Sequence, residues 1–257
     1  MKKKYAFTLS EILIVLSIIG FVAAVSIPAM FQDIKRTQYE TGAQQVYATL
    51  NNTFKKLNVD YQCDNDLRCT GMFNTGTTSQ TLGTEIIKYY KVVRNCGITI
   101  TQDCWPDQTN NNFDGSSATN INFNTVNSPT FYKFIAADGK AYAIHNFTED
   151  YSAGCSNNMS TGALGTNSFM TQACGIVYVD MNGYKEPNDL GKDTFMFFIT
   201  NGKGPLLYPA GGIDDNYLGV NNYWNQGGRN FCNKTTDKSG IYCTGRLAEK
   251  SFRMDYY

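Results

Sequence analysis

Glu11 asks for an explanation before any other residue. It is the one charge in the run Phe7–Ile27, FTLSEILIVLSIIGFVAAVSI. A carboxylate inside a membrane helix costs about 2.5–3.5 kcal/mol on insertion scales. Near the helix start the cost is smaller, because the helix dipole favours an anion there. The chemistry open to such a group is ion pairing. In a bundle of these helices Glu11 meets a cation, and the obvious one is the free α-amino group of a neighbouring copy.

A second constellation lies between Asp180 and Asp193, where Asp180, Asn182, Asn188, Asp189 and Asp193 are interleaved with Gly183 and Gly191. Oxygen side chains at alternate positions, with glycines permitting tight turns, suit a hard cation such as calcium. The stretch has no Glu where an EF-hand loop would place its last ligand. The plainer reading is a structured turn in which Asp180 and Asn188 cap backbone N–H groups. His145 is the single histidine and sits in the strand-like stretch Ala141–His145. With no thiol expected to stay reduced and no GxSxG motif, it reads as structural. Glu149-Asp150 and Asp214-Asp215 read as solvated turns. Trp105, Tyr223 and Trp224 read as aromatic packing under tied loops. No catalytic residue is assigned, and the chain reads as something other than an enzyme.

The eight cysteines are Cys63, Cys69, Cys96, Cys104, Cys155, Cys174, Cys232 and Cys243. None forms CxxC and only one His is present, so a zinc site is poorly supported. Disulfides formed in an oxidising compartment are the better reading. Eight cysteines admit roughly a hundred connectivities. Short loop closure favours the four neighbouring pairs without fixing them.

These residues need elements to hold them. A helix rising about 1.5 Å per residue over Phe7–Ile27 spans roughly 30 Å, the thickness of a bilayer core. Lysines at positions 2, 3 and 4 precede it and belong on the cytoplasmic side. After Pro28 the pattern stays helical. Tyr39, Ala43, Val46, Leu50, Phe54 and Leu57 form one apolar stripe, with Lys35, Arg36, Gln44, Asn51 and Lys55 opposite. Residues 60–83 are polar and rich in Gly and Thr around Cys63 and Cys69, and EIIKYYKVVR (85–94) reads as helix or strand. Phe131–Ala136 and Lys140–His145 flank a hairpin turn at Ala137-Asp138-Gly139. Gly175–Val179 reads as a buried strand. Thr194–Ile199 and Pro205–Tyr208 flank Asn201-Gly202, a second hairpin. The region from Ile213 reads as loop-rich. A long helix followed by an antiparallel sheet is an α+β arrangement. Lys plus Arg, 22, equals Asp plus Glu, 22, so no charge excess indicates nucleic acid.

The stretch Lys4-Tyr5-Ala6-Phe7-Thr8-Leu9-Ser10-Glu11, followed by its apolar run, resembles the class III signal of type IV pilins and type II secretion pseudopilins. In that family a prepilin peptidase cuts before the Phe and methylates the new amino terminus, which here implies Ala6 and Phe7. A Glu four residues on, here Glu11, and a helix-kinking Pro at the end of the apolar run, here Pro28, serve filament assembly. The family's leader usually ends in Gly and this one ends in Ala6; Ser10 stands where an aliphatic residue is usual. Two other readings compete. A secretory signal cut after Val22-Ala23-Ala24 fits the small-residue rule but seats Glu11 badly in its apolar segment. An uncleaved anchor is the other.

The resemblance implies a pilin-like fold, a long helix packed on an antiparallel sheet with disulfide-tied loops. It divides the chain into a leader at 1–6, a membrane and filament-core helix at 7–28, an amphipathic continuation at 29–58 and an exported globular domain at 59–257. It implies a single-pass protein of the bacterial inner membrane, with the N-terminus cytoplasmic and the domain periplasmic or extracellular. Its partners would be other pilin or pseudopilin subunits, the prepilin peptidase and an inner-membrane assembly platform. Major pseudopilins can bind calcium in a loop near the C-terminus, which bears on 180–193. The function implied is a structural subunit of a type II secretion or type IV pilus filament. The alternatives are a minor pilin binding a ligand at a filament tip and, less favoured, a membrane-anchored exported enzyme.

Overall fold

The structure is a computed structural model and describes residues 8–64, 66–99, 104–105, 112–116, 130–149, 155, 173–183, 185–201, 206–211, 232, 240–241 and 243–256. The chain divides into two compact units, Met1–Gln38 and Tyr39–Tyr257. Helix α1 (Leu9–Asp60) contributes to both and is unbroken across Pro28. Proline lacks an N–H, so the carbonyl of Ala24 loses its helical donor there.

In the first unit the large apolar side chains of α1, from Leu9 and Ile12 to Phe31 and Ile34, are exposed. This stretch is long and apolar enough to cross a membrane. In the second unit α1 becomes one-sided. Ala43, Val46, Leu50, Phe54 and Leu57 are fully buried, while Gln44, Gln45, Lys55 and Lys56 are exposed. The expected stripe is therefore a core stripe, with Tyr39 half-buried at its start.

The stripe packs into a cluster with one face of a sheet. Its strands are β1 (Val92–Gly97), β2 (Tyr132–Ala136), β3 (Ala141–Asn146), β4 (Ala173–Asp180), β5 (Thr194–Thr200) and β6 (Leu207–Pro209). They pair in chain order, all antiparallel. Side chains alternate between the faces of a strand. Tyr132, Phe134, Tyr142, Ile144, Val177, Val179, Phe195, Phe197 and Leu207 join the α1 stripe. The alternate residues Ala143, Tyr178, Met196, Phe198 and Tyr208 join a second buried cluster with Trp105 and Leu190. Both faces are covered, which is why TFMFFI reads as an unbroken apolar run rather than an alternating one.

Two short helices complete the unit. Helix α2 (Ser79–Ile86) starts at Thr78, whose hydroxyl accepts from the Thr81 N–H. It lies so close to β2 that any side chain at Gly83 would collide with the Tyr132 ring. Helix α3 (Cys243–Glu249) closes over the β5–β6 edge: Gly245 N donates to Ala210 O at 2.6 Å and Met196 N to Thr244 Oγ1 at 3.0 Å. The opposite edge, β1, is interrupted by two register shifts, and Lys91 and Arg94 are exposed there. Bulges and charges of this kind discourage strand addition.

The polar stretch 60–83 contains a 3-10 turn, Leu67–Thr70, and the start of α2. Asp66 caps that turn, and the Arg68 guanidinium beside it holds its carboxyl down at about 2. EIIKYYKVVR is neither a helix nor a strand but both: α2 ends at Ile86, a 3-10 turn follows at Ile87–Tyr89, and β1 begins at Val92. The first hairpin forms at Ala137-Asp138-Gly139, with Gly139 at φ +83°. In the second, β5 and β6 pair, and Gly202 lies outside the described residues.

The end of α3 carries a testable detail. Ser251 N donates to Ala248 O and Phe252 N to Leu247 O. That is the Schellman arrangement, which normally places glycine where Ser251 stands. Ser251 sits at φ +55°. Ser251→Gly is expected to stabilise the second unit by about 0.5–1 kcal/mol, the left-handed strain relieved less the added chain entropy. Phe54→Ala is expected to cost about 3–5 kcal/mol. Thermal unfolding of the two variants beside the parent checks both signs.

Candidate functional site

Two groups of the expected site residues fall in different units, and the structure gives each a local geometry. The first is the start of α1. Ala6 and Phe7 lie outside the described residues. Thr8 and Glu11 hold one another: the Thr8 N–H donates to Glu11 Oε2 at 2.8 Å, the Thr8 hydroxyl to the same oxygen at 2.7 Å, and the Glu11 N–H to Thr8 Oγ1 at 3.3 Å. This is a capping box, in which two N–H groups that a helix end leaves unpaired are satisfied reciprocally. Thr8 is thus a partner of Glu11 that the expectation missed. The signal was present as Thr-x-x-Glu directly before an apolar run. Pro28 lies nineteen residues after Leu9 within the same helix.

The second group is the β4–β5 connection. Asp180 is fully buried at the end of β4, and Asp193 at the start of β5. Asp180 Oδ1 accepts from Asn182 N at 2.9 Å, and Oδ2 from Thr194 Oγ1 at 3.1 Å. With its amide turned to donate, Asn188 Nδ2 reaches Asp180 Oδ2 at 2.7 Å and Lys185 O at 3.2 Å. Asp193 Oδ1 accepts from Asp189 N at 2.6 Å and Oδ2 from Asn182 Nδ2 at 3.0 Å. Asp189 pairs with Lys192 at 2.5 Å. Asn182 Nδ2 also reaches Tyr39 Oη at 3.3 Å, tying the connection to α1.

Asp180, Asn182, Asn188, Asp189 and Asp193 are therefore brought together in one hydrogen-bonded turn. Asp180 caps a backbone N–H as the turn reading expects. Asn188 instead bridges a carbonyl and a carboxylate, and it is Asp193 that caps the second N–H. As folded, these oxygens fit N–H and O–H donors better than a cation. Among the described residues no three His, Cys, Asp or Glu side chains stand where they would hold a metal ion together.

Burial shapes the acidity of this turn. It pushes the Asp180 carboxyl well above the ordinary aspartate range, and the Asp193 charge adds to the effect. Burial and then the Asp189 charge raise Asp193 to about 7.

The third arrangement is one that triad chemistry would require, and it is wired differently. Ser79, His145 and Glu149 meet at the start of α2. The Ser79 hydroxyl donates to Glu149 and accepts from Asn146 N at 2.9 Å. His145 Nδ1 lies 2.8 Å from Thr130 O. A carbonyl cannot donate, so Nδ1 carries the hydrogen and offers Ser79 no basic lone pair. Ser79 is fully buried and His145 almost so. The cluster pins α2 to β3 and activates no hydroxyl. Glu149, expected as a solvated turn, is instead part of it. Trp105 is buried in the second cluster as aromatic packing, whereas Tyr223, Trp224 and Asp214-Asp215 lie outside the described residues.

With this geometry in place, comparison with known proteins adds one match. A family model described as the prokaryotic N-terminal methylation motif matches residues 1–27. No curated protein and no solved structure matches the chain.

The carboxylate turn predicts a pH dependence. Asp193 titrates near 7 when folded and near the ordinary value of about 4 when unfolded. The folded state therefore holds the proton more tightly. The stabilisation is complete below about pH 4 and is lost as the pH rises to about 7. With divalent ions chelated, the melting temperature is expected to fall by on the order of 5 °C between pH 5 and pH 8. Asp193→Asn should flatten that slope; a slope unchanged in the variant places the titration elsewhere.

Proposed function

We propose that this chain, whose residues 1–27 carry the class III prepilin-type signal of type IV pilins and pseudopilins, is a structural subunit of an extracytoplasmic filament built from its N-terminal helices. The observation that carries the reading is the coincidence of that signal with an exposed apolar helix for which the described chain provides no covering surface. The signal and the helix together fit a membrane-anchored, pilus-assembled protein. The signal also suggests a structural role rather than catalysis, and we read the chain as having no enzymatic activity.

The mechanism follows from where the apolar surface goes. Before assembly the bilayer covers Leu9–Ile27, with the basic leader held in the cytoplasm and the sheet unit outside. A prepilin peptidase removes the leader between Ala6 and Phe7 and methylates Phe7. The helix then leaves the bilayer for a bundle of like helices, supplied by pilin or pseudopilin neighbours at an inner-membrane assembly platform. Glu11 faces the amino group of a neighbour's Phe7. A charge buried without its partner costs several kcal/mol, so that pairing selects register.

A cation is a second proposal, for the 180–193 turn. The mutual repulsion of Asp180 and Asp193 supports it, and the donors already bonded to them weigh against it. If calcium binds there, adding it to the chelated protein should raise the melting temperature, and Asp180→Ala should abolish the rise. Equal melting with and without calcium would leave the turn structural.

Two measurements test the filament reading. Mass spectrometry of the mature chain is expected to find methylated Phe7 at its start; a start at Val25 would mean an ordinary secretory protein. Glu11 separates two roles by substitution. Glu11→Gln keeps a side chain able to complete the capping box but carries no charge. Glu11→Ala loses both. Membrane insertion and leader cleavage should survive in each variant, while incorporation into sheared filaments should fall sharply in each. Normal incorporation of the Gln variant would reduce Glu11 to a helix cap.

A further inference from the structure

Residues 251–256, which follow α3, carry a conformational cost where they lie. Ser251 and Phe252 are adjacent, and both sit in the left-handed region, at φ +55° and +61°. A Cβ crowds the following carbonyl oxygen there, and for a side chain as bulky as Phe the conformation is an outlier. Tyr256 buries its hydroxyl with no hydrogen-bond partner among the described residues. A buried polar group left unpaired is a further cost. Features of this kind persist only where surrounding contacts over-determine them, and they gather at segments that switch.

The base of the segment is fixed, because α3 starts at Cys243, which is bonded to Cys232, one of four disulfides that join neighbouring cysteines. Beyond that base, α1 and α3 hold it. From α1, Glu40 Oε1 accepts from the Met254 N–H at 2.7 Å, and the Tyr47 ring meets the Phe252 ring at 5.7 Å. Glu40 and Tyr47 stand about two helical turns apart on one side of α1. From α3, Arg246 Nε donates to Asp255 Oδ1 at 2.8 Å, and its guanidinium lies over the Tyr256 ring. Phe113 meets that ring edge-on at 5.7 Å. The bond to Glu40 is the firmer of the two ties to α1, since a hydrogen bond to a carboxylate outweighs a neutral contact. The backbone bonds of the segment are local: Phe252 N to Leu247 O, Arg253 N to Lys250 O and Asp255 N to Arg253 O. Lifting it therefore breaks none of the bonds that pair the six strands.

We propose that residues 251–256 form a strap that opens and closes on α1 while the sheet stays folded. Closed, it is a strained latch held by Glu40. Opening relaxes Ser251 and Phe252 and gives the Tyr256 hydroxyl to water. It also withdraws the Met254 N–H from Glu40 and the Phe252 ring from Tyr47. The side of α1 that carries Glu40 and Tyr47 is thus covered by the strap in one state and not in the other. The proposal concerns the second unit alone and stands or falls independently of the filament reading.

Methionine oxidation of the full chain in detergent tests it. Met254 on the strap and Met196 on β5 are 4% and 6% exposed, so static burial alone predicts similar rates. Hydrogen peroxide gives an oxygen to the thioether sulfur, leaving a sulfoxide and water, and each site is followed by peptide mass spectrometry. Met254 should oxidise roughly ten times faster than Met196, through local opening. Its rate should stay nearly flat in low urea, because a local opening exposes little surface, while that of Met196 climbs steeply. Glu40→Ala should raise the Met254 rate about tenfold, and Glu40→Gln, which keeps an acceptor, should raise it less. Ser251→Gly should lower it about threefold by relaxing the closed strap. Two results would overturn the proposal. One is a Met254 rate that matches that of Met196 and climbs with urea as steeply, which would mean that the segment opens only when the whole unit unfolds. The other is a Met254 rate unchanged by Glu40→Ala, which would mean that Glu40 does not hold the strap.

Discussion

An antiparallel sheet of six short strands has two faces, and each apolar face must be taken out of water. That requirement governs the second unit. One face is covered by the Ala43–Leu57 stripe of α1 with Leu67, Leu82 and Ile86, the other by Trp105, Leu190 and their neighbours. At roughly 25 cal/mol per Å² of apolar surface, this burial is the main term that offsets the entropy of ordering so many polar loops. The smaller devices follow from it. Gly83 lets α2 lie against β2, α3 closes the β6 edge, and the Ser79–His145–Glu149 cluster holds α2 where Leu82 and Ile86 can reach the core.

The same rule, applied to Leu9–Gln38, has the opposite outcome. Leu13, Ile14, Leu16, Ile18, Phe21 and Val25 are exposed, and they ring the helix rather than lining one side of it. A helix apolar all round is a buried helix. Its cover therefore comes from outside the described chain, from lipid or from other helices. Pilin-type filaments exchange the one for the other. Glu11 is compatible with that exchange because its oxygen is already bonded to the Thr8 N–H and hydroxyl. A carboxylate that keeps two donors of its own chain never enters an apolar phase bare.

Legibility followed the length and strength of the pattern. The α1 stripe repeats over five turns, and each predicted stripe residue from Ala43 to Leu57 is buried. The strands at 131–145, 175–179 and 194–199 announced themselves through β-branched and aromatic runs beside Asp-Gly and Asn-Gly. Helices α2 and α3 did not. Each has eight residues or fewer, too short for a period to show, and α2 carries Ser, Thr and Gly, which are poor helix formers. Tertiary packing against β2 and the β5–β6 edge decides them. The segment 85–94 defeated a two-way choice because it changes element within ten residues. The aspartate turn was legible as a group of oxygens. Its wiring was not, since which N–H each oxygen meets depends on the backbone path.

The aspartate turn and the buried Cys155–Cys174 disulfide express one constraint from two sides. A close-packed interior admits polar or reactive groups only in a state that needs no water. Cys155 and Cys174 reach that state as a disulfide. Asp180 and Asp193 reach it by accepting hydrogen bonds from Asn182, Thr194 and Asp189 and by holding protons more tightly than exposed aspartates do. Cys155 and Cys174 belong to the same core cluster as the α1 stripe, and the turn is tied to α1 by the bond from Asn182 to Tyr39. The packed second unit therefore contains a formed disulfide at one place and tightly held protons at another. The second unit thus covers its own apolar faces, while the exposed apolar first half of α1 finds no cover within the described residues.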